Sequence, residues 1–202
     1  MSLRIGITGG IGSGKSVVAR LLRVAGLPVY DCDAEARRLM LVDADIRHEL
    51  TALLGADAYA DGRLNKPFIA AYLFASPDNA ARINGIVHPR VREDFRRWAA
   101  QQAEPLVGLE SAILLEAGFQ TEVDKVVVVC APAELRVRRI ISRDHTDRQQ
   151  AMRRMSGQMD EEEKRRRADF LVVNDGRHSV IGQVASLLES LGMPVYQLPD
   201  MG

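Results

Sequence analysis

The sequence predicts an α/β fold, a mainly parallel five-stranded sheet with helices on both faces, and three observations carry it. Short apolar runs recur at Leu3–Thr8, 28–32, Leu106–Glu110, Lys125–Cys130 and Phe170–Val173. Segments with helical spacing separate them, and strands alternating with helices favour a parallel sheet with right-handed crossovers. The run Val126-Val127-Val128-Val129 is continuous rather than alternating, as expected of a parallel strand covered on both faces.

Each element has its own signal. The first run ends in glycines, and a helix follows over 15–25, with Val18, Leu21, Leu22 and Ala25 on one face and Gly26 and Pro28 as stops. Residues 34–100 read as mostly helical, over 35–42, Ala44–Leu54, 67–74 and 78–102, with turn chemistry at Gly55, Asp61-Gly62 and Ser76-Pro77. This block interrupts the alternation and reads as an inserted substrate-binding region. Pro132 opens a helix that runs through Ile140 and Ile141. Ser179 caps the last helix, whose stripe is Ile181, Val184, Leu187, Leu188 and Leu191, and a short final strand is expected at 195–198. The organisation is one domain: a core of 1–33 and 104–202, a helical insertion of about 34–103, and a lid of about 143–160.

Composition excludes some functions. The 202 residues are ample for a core, 47% are hydrophobic, and 27 Lys/Arg balance 27 Asp/Glu. A nucleic-acid binder held by phosphate neutralisation shows a basic excess that is missing here. Cys32 and Cys130 belong to no metal pattern and read as reduced, buried residues at strand ends. Met1 runs directly into a strand with no leader pattern, and no apolar run approaches the roughly 20 residues of a membrane span. The expected setting is the cytoplasm, with no membrane or nucleic-acid partner; the chain says nothing of oligomeric state.

The segment Gly9-Gly10-Ile11-Gly12-Ser13-Gly14-Lys15-Ser16 matches the P-loop pattern in full and lies between a strand and a helix. Its glycines let successive N–H groups turn toward phosphate oxygens, and the helix N-terminus adds its dipole. Lys15 is expected to neutralise the β and γ phosphates of ATP, and Ser16 to place its hydroxyl on Mg²⁺. The spacing does not fit a dinucleotide fingerprint. A guanine-type motif has only Asn65-Lys66-Pro67-Phe68 as candidate, without its Asp. A Walker B aspartate is missing too; Glu110 stands at that place, as a magnesium-side carboxylate or a structural one.

Asp31-Cys32-Asp33 closes the second strand, at the edge where ligands of parallel sheets collect. Asp33 serves equally as general base for an attacking hydroxyl or as the cap of a helix starting at Ala34. With the P-loop, the segment Val29-Tyr-Asp-Cys-Asp-Ala-Glu-Ala-Arg37 resembles the dephospho-coenzyme A kinase family. Further matches are Ile86-Val87-His88-Pro89, Leu114-Leu115-Glu116-Ala117-Gly118, 123–129, Arg138 to Arg143 with Gln158, and 168–176, in order along residues 3 to 190. The resemblance implies a P-loop nucleoside triphosphate hydrolase-like fold and transfer of the ATP γ-phosphate to the ribose 3′-hydroxyl of dephospho-CoA. It implies Asp33 as base, with Thr8, Arg37, His88 and Glu116 on the acceptor side. Gly10, Gly12, Ser13, Gly14, Lys15, Ser16 and Val17 would hold the nucleotide phosphates, and Asn174 and Gly176 would border the adenine. Two positions depart from the family pattern: Cys32 replaces a small Ala, and Glu110-Ser111-Ala112 replaces Asp-Ile-Pro. For His88 a structural role beside Pro89, in a turn, competes with substrate contact.

Between 134 and 167 eleven Lys/Arg face seven Asp/Glu. Arg136, Arg139 and Arg143 share a helical face. Glu161/Arg165, Glu162/Arg166 and Glu163/Arg167 have favourable i,i+4 order, so 160–167 reads as a solvated helix, and its acids argue against RNA binding. Residues 143–159 have few apolar anchors and read as a lid, with Arg143 the first candidate to stabilise the transferring phosphoryl group. Three readings compete with the named one: a kinase of this fold with another acceptor, a non-catalytic nucleotide-binding module, and a GTPase switch.

Overall fold

The five apolar runs become strands of one sheet in the computed structural model, which describes residues 2–60 and 62–193. In chain order they are β1 (Leu3–Thr8) and β2 (Val29–Asp31) and, after a small hairpin of β3 (Tyr59–Ala60) and β4 (Arg63–Leu64), β5 (Leu106–Glu110), β6 (Lys125–Cys130) and β7 (Phe170–Val173). The strand order is β2-β5-β1-β6-β7, and the pairs β1–β5, β1–β6 and β6–β7 are parallel. The chain therefore builds one half of the sheet beside β1 and then the other, making the carboxyl end of β1 a switch point, where crevices open in such sheets. The strand expected at 195–198 lies outside the described residues.

The core follows from the patterns that predict it. Helix α1 (Lys15–Val24) and helix α9 (Val180–Ser190) lay Val18, Leu22, Val184, Leu187 and Leu188 against Ile5, Ile7, Val127, Val129 and Val172 of the sheet. Val126 and Val128 are buried as well, which explains the unbroken valine run. Ser179 caps α9 through the Gly182 N–H. Ile181 departs from its expected stripe and is exposed.

The chain divides into two compact units, Asp31–Ala99, which spans most of the expected insertion at 34–103, and the remainder. The first unit consists of α2 (Cys32–Val42), α3 (Ala44–Leu54), the hairpin, α4 (Lys66–Ala75) and α5 (Pro77–Ala100). Helix α2 begins before the expected Ala34, and its cap is Asp31, whose carboxylate accepts the Ala34 N–H. Asp33 is thus the second residue of the helix and caps nothing. Cys32 opens the helix, buried, rather than ending a strand. Asn65 caps α4 through the Phe68 N–H, a structural use for the residue that stood as guanine-motif candidate. The hairpin was not anticipated; its turn carries Gly62 at φ 74°, and Asp61 lies outside the described residues.

Helix α5 overrides its own proline. Ile83, Val87, Val91, Phe95 and Ala99 recur every fourth residue and are all buried, so the stripe runs straight through the exposed Pro89. A proline inside a helix costs about 3 kcal/mol, less than five buried apolar side chains return. His88 therefore sits mid-helix, not in a turn, and that structural reason for it falls away. Burial, and then the Arg92 guanidinium, push its imidazole below the ordinary value.

In the other unit, α6 (Ala133–Asp144), α7 (Arg148–Ser156) and α8 (Glu161–Arg166) separate β6 from β7. Arg143 belongs to the last turn of α6 and so precedes the lid loop expected to contain it. The 143–159 segment also has an apolar anchor: Ala151 is buried against Val137 and Ile140, with Ile11, Ile141 and Met155 packed around them. Helix α8 is not solvated all round. Lys164 is 1% exposed, its ammonium 2.8 Å from Glu116 Oε1. Of the three expected i,i+4 pairs only Glu163–Arg167 forms; Glu163 also takes Arg166, Arg165 turns to Glu162, and Glu161 leaves the helix for Arg136.

Two outcomes follow for stability. Asp31→Ala should cost about 1 kcal/mol in a urea titration, the usual worth of a cap, and Asp33→Ala clearly less; equal losses would return the capping role to Asp33. His88, with its folded pKa below the unfolded 6.5, binds a proton more readily in the unfolded chain, so its contribution is complete above that value and drains away as pH falls. His88→Gln should therefore flatten part of the acid-side loss of stability, measured by urea unfolding from about pH 7 to about pH 5.

Candidate active site

The site is built where β1 ends. Thr8 is the last residue of the strand, the loop runs from Gly9 to Gly14, and Lys15 is the first residue of α1. Gly14 adopts φ 94°, a left-handed conformation, and a Cβ there would lie 2.1 Å from Asn174 Nδ2. The position thus excludes a side chain twice, by backbone conformation and by space.

The peptide groups of the loop sort into two sets. The Gly10 carbonyl accepts Ser13 N–H, those of Gly12 and Ser13 accept Arg139 Nη1 at 3.3 Å, and that of Ser13 also accepts Asn174 Nδ2 at 2.8 Å. The Gly14 carbonyl accepts the Val17 and Val18 amides. By contrast the N–H groups of Gly12, Gly14, Lys15 and Ser16 take no partner among the described residues. Those of Lys15 and Ser16 are free because a first helical turn has no preceding carbonyls to meet them. Free donors at a helix start, where the dipole is positive, form an anion site without any further group.

A cleft of about 620 Å³ opens over these donors. Gly10, Gly12, Gly14, Lys15, Ser16 and Val17 line one side, and Arg138, Arg139, Ser142 and Arg143 of α6 the other. Lys15 makes no ion pair among the described residues, so its charge remains available. Arg143 donates to both oxygens of Asp144, at 2.7 and 3.0 Å, and Arg154 of α7 shares that carboxylate at 2.6 Å.

Ser16 Oγ donates to Glu110 Oε1 at 2.9 Å, and the other Glu110 oxygen lies 3.9 Å from Arg23. Glu110 is only 6% exposed. A hydroxyl and a carboxylate oxygen side by side suit magnesium, which prefers hard oxygen donors and completes its shell with water and phosphate. No cluster of three or more His, Cys, Asp or Glu able to hold a metal occurs among the described residues.

The remaining sequence candidates divide by place. Ser13 and Thr8 are fully buried, their hydroxyls without a partner among the described residues, and the Ser13 N–H and carbonyl are already taken within the loop and by Arg139 and Asn174, so neither residue offers a ligand the free group that the sequence led one to expect. Asn174 turns its side chain to the loop, where its Oδ1 accepts Arg139 Nη2 at 3.1 Å; Gly176 stands clear, with nothing within 4 Å of where a Cβ would be. Glu116 receives Lys164 and, at 3.1 Å, the Met159 N–H. Asp33, Arg37 and His88 belong to the other unit. The carboxylate of Asp33 and the guanidinium of Arg37 are exposed and make no hydrogen bond or ion pair among the described residues. Sequence reasoning missed Arg138 and Arg139 as site residues. The signal for Arg139 was present, since it shares a helical face with Arg136 and Arg143, and that face meets the loop.

Comparison with known proteins bears on this arrangement. The profile of the dephospho-CoA kinase family matches residues 3–179. A dephospho-CoA kinase of Bacteroides fragilis is 48% identical over 199 residues, covering 98% of this chain and 97% of that one. The enzyme of the same name from Porphyromonas gingivalis is 40% identical over 199 residues, with 98% of each chain covered. The crystal structure of TT1252 from Thermus thermophilus superposes with a TM-score of 0.85 at 36% identity, over 96% of this chain and 99% of that one. A shikimate kinase from Acinetobacter baumannii, 17% identical with a TM-score of 0.55 over 95% of this chain and 93% of that one, shares the fold alone. On the match across 3–179 and relatives of nearly full coverage, the chain belongs to the dephospho-CoA kinase family.

Proposed function

We propose that this chain phosphorylates the ribose 3′-hydroxyl of dephospho-CoA with ATP, releasing coenzyme A and ADP. The observation that carries the reading is the set of amides at Gly12, Gly14, Lys15 and Ser16 that take no partner among the described residues, beside a cleft lined by Lys15, in a chain of this family. Those donors and the Lys15 ammonium bind and neutralise the β and γ phosphates. Ser16 and Glu110 would hold magnesium, which when bound offsets phosphate charge. Gly176 and the Asn174 backbone border the adenine.

Asp33 is the base. Its carboxylate is exposed, with no partner among the described residues, and the capping duty that competed for it belongs to Asp31. As the ribose oxygen forms its bond to the γ-phosphorus, the bond from that phosphorus to the β–γ bridging oxygen breaks. The hydroxyl proton passes to Asp33, and ADP leaves with the electron pair. Arg37 and His88 contact the acceptor, and Glu116 supports its pocket through the Lys164 pair. Arg143, steadied by Asp144, meets charge developing on the transferring group, and the segment from 143 to 160 closes as a lid. No helix among the described residues is long and apolar enough to cross a membrane, and we place the reaction in the cytoplasm.

A coupled assay of ADP release should show turnover with dephospho-CoA and none with adenosine, nucleoside monophosphates or shikimate; turnover with one of these alone would sink the acceptor assignment. Asp33→Asn should lower kcat by about 10²–10⁴-fold, the usual contribution of a general base, with an unchanged urea midpoint. Arg143→Ala should lower kcat more than it weakens ATP binding; an unaltered kcat removes Arg143 from the mechanism.

A further inference from the structure

Ile11 occupies one of the unspecified positions of the phosphate loop, yet it is gripped at every atom that can be gripped. Its N–H donates to Gln158 Oε1 at 2.7 Å. Its carbonyl accepts Arg136 Nε at 2.9 Å. Its side chain packs on the apolar cluster of Val137, Ile140, Ala151 and Met155 that joins α6 to α7. The arginine is itself held: its guanidinium is 7% exposed and ion-paired to Glu161, the first residue of α8. The loop is also moulded to it, since a Cβ on Gly10 would lie 2.2 Å from Arg136 Nη2 and one on Gly12 2.8 Å from the Arg136 carbonyl. Two glycines at other unspecified positions of the loop thus make room for α6.

We propose that Arg136, Gln158 and Glu161 are positioning residues that hold the tip of the phosphate loop, so that nucleotide affinity depends on the placement of the turn between α7 and α8. The inference rests on the nucleotide reading of the loop. Physically, a loop whose amides must converge gains affinity when its shape is set before the ligand arrives. Taking up the Ile11 N–H and carbonyl with side chains fixes the orientation of the peptide groups on either side of that residue. Coupling of this kind is reciprocal: a turn that favours nucleotide binding is in turn steadied by bound nucleotide.

Gln158→Met, which keeps the size and removes the acceptor, is the first test because Gln158 is only partly buried. Calorimetry should show ADP binding weakened about tenfold, the worth of one lost buried hydrogen bond, while the KM for dephospho-CoA stays within about twofold. Glu161→Gln keeps an acceptor for Arg136 and should fall between the parent and Glu161→Ala, a graded rescue that general loosening of the fold does not produce. Hydrogen exchange adds the reciprocal readout: ADP should slow exchange of the Met159 amide in the parent and much less in Gln158→Met. Unchanged ADP affinity in Gln158→Met, a KM shift confined to dephospho-CoA, or equal ADP protection of Met159 in both proteins overturns the strut. A parent that binds no ADP overturns the nucleotide reading itself, so the two failures are distinguishable.

Discussion

Everything the site can do depends on which way the peptide groups between Gly10 and Ser16 face. A peptide carries a donor and an acceptor on opposite sides, so a loop can gather its N–H groups on one side only if its carbonyls find partners on the other. Here the partners come from Ser13, from Arg136 and Arg139 of α6, from Asn174 after β7, and from the first amides of α1 itself. Without those partners a carbonyl left on the ligand side would set its negative end against phosphate. The phosphate loop is therefore a product of four separate parts of the chain, and its motif states only one of them.

The sheet order supplies those parts. Because β6 and β7 follow β1 on one side, the segments after their carboxyl ends lie beside the loop, and α6 and Asn174 reach it from there. Because β5 lies on the other side, its final residue, Glu110, meets the hydroxyl of Ser16. A glutamate where a shorter aspartate is common carries its oxygen one methylene farther and still comes within 2.9 Å of that hydroxyl. Arg23 lies at the far oxygen of the same carboxylate, so the group enters its chemistry already oriented.

Elements fixed by short-range rules were legible in the sequence. The five strands of the sheet, the Ser179 cap and the long helix expected over 78–102 follow from apolar spacing and turn chemistry, and so does the phosphate loop. What misled was competition between local rules. Asp31 and Asp33 are both good caps, and only the dihedral angles of residue 31, φ −96° and ψ 100°, decide between them. Pro89 signals a break, but the stripe from Ile83 to Ala99 outweighs it. The charge run at 160–167 looked self-sufficient because i,i+4 spacing is visible in one dimension; the diversion of Glu161 to Arg136, 25 residues away, is not. Asn174 and Glu116 were placed by resemblance, and their hydrogen-bond partners, Ser13 and Lys164, lie far along the chain.

The burial of Lys164 reaches beyond its own helix. An ammonium withdrawn from water gives up its hydration, and the Glu116 carboxylate beside it offsets that loss; removal of the carboxylate alone leaves the buried charge without its partner. Helix α8 is held near its middle, where Glu116 and the Ala112 carbonyl close over its lysine. A helix anchored in this way supports what precedes it and what it touches. Gly157 closes α7, Gln158 and Met159 lead from it into α8, and the helix so anchored holds Arg136 through Glu161. The proposed lid and the proposed phosphate cradle thus share one anchor.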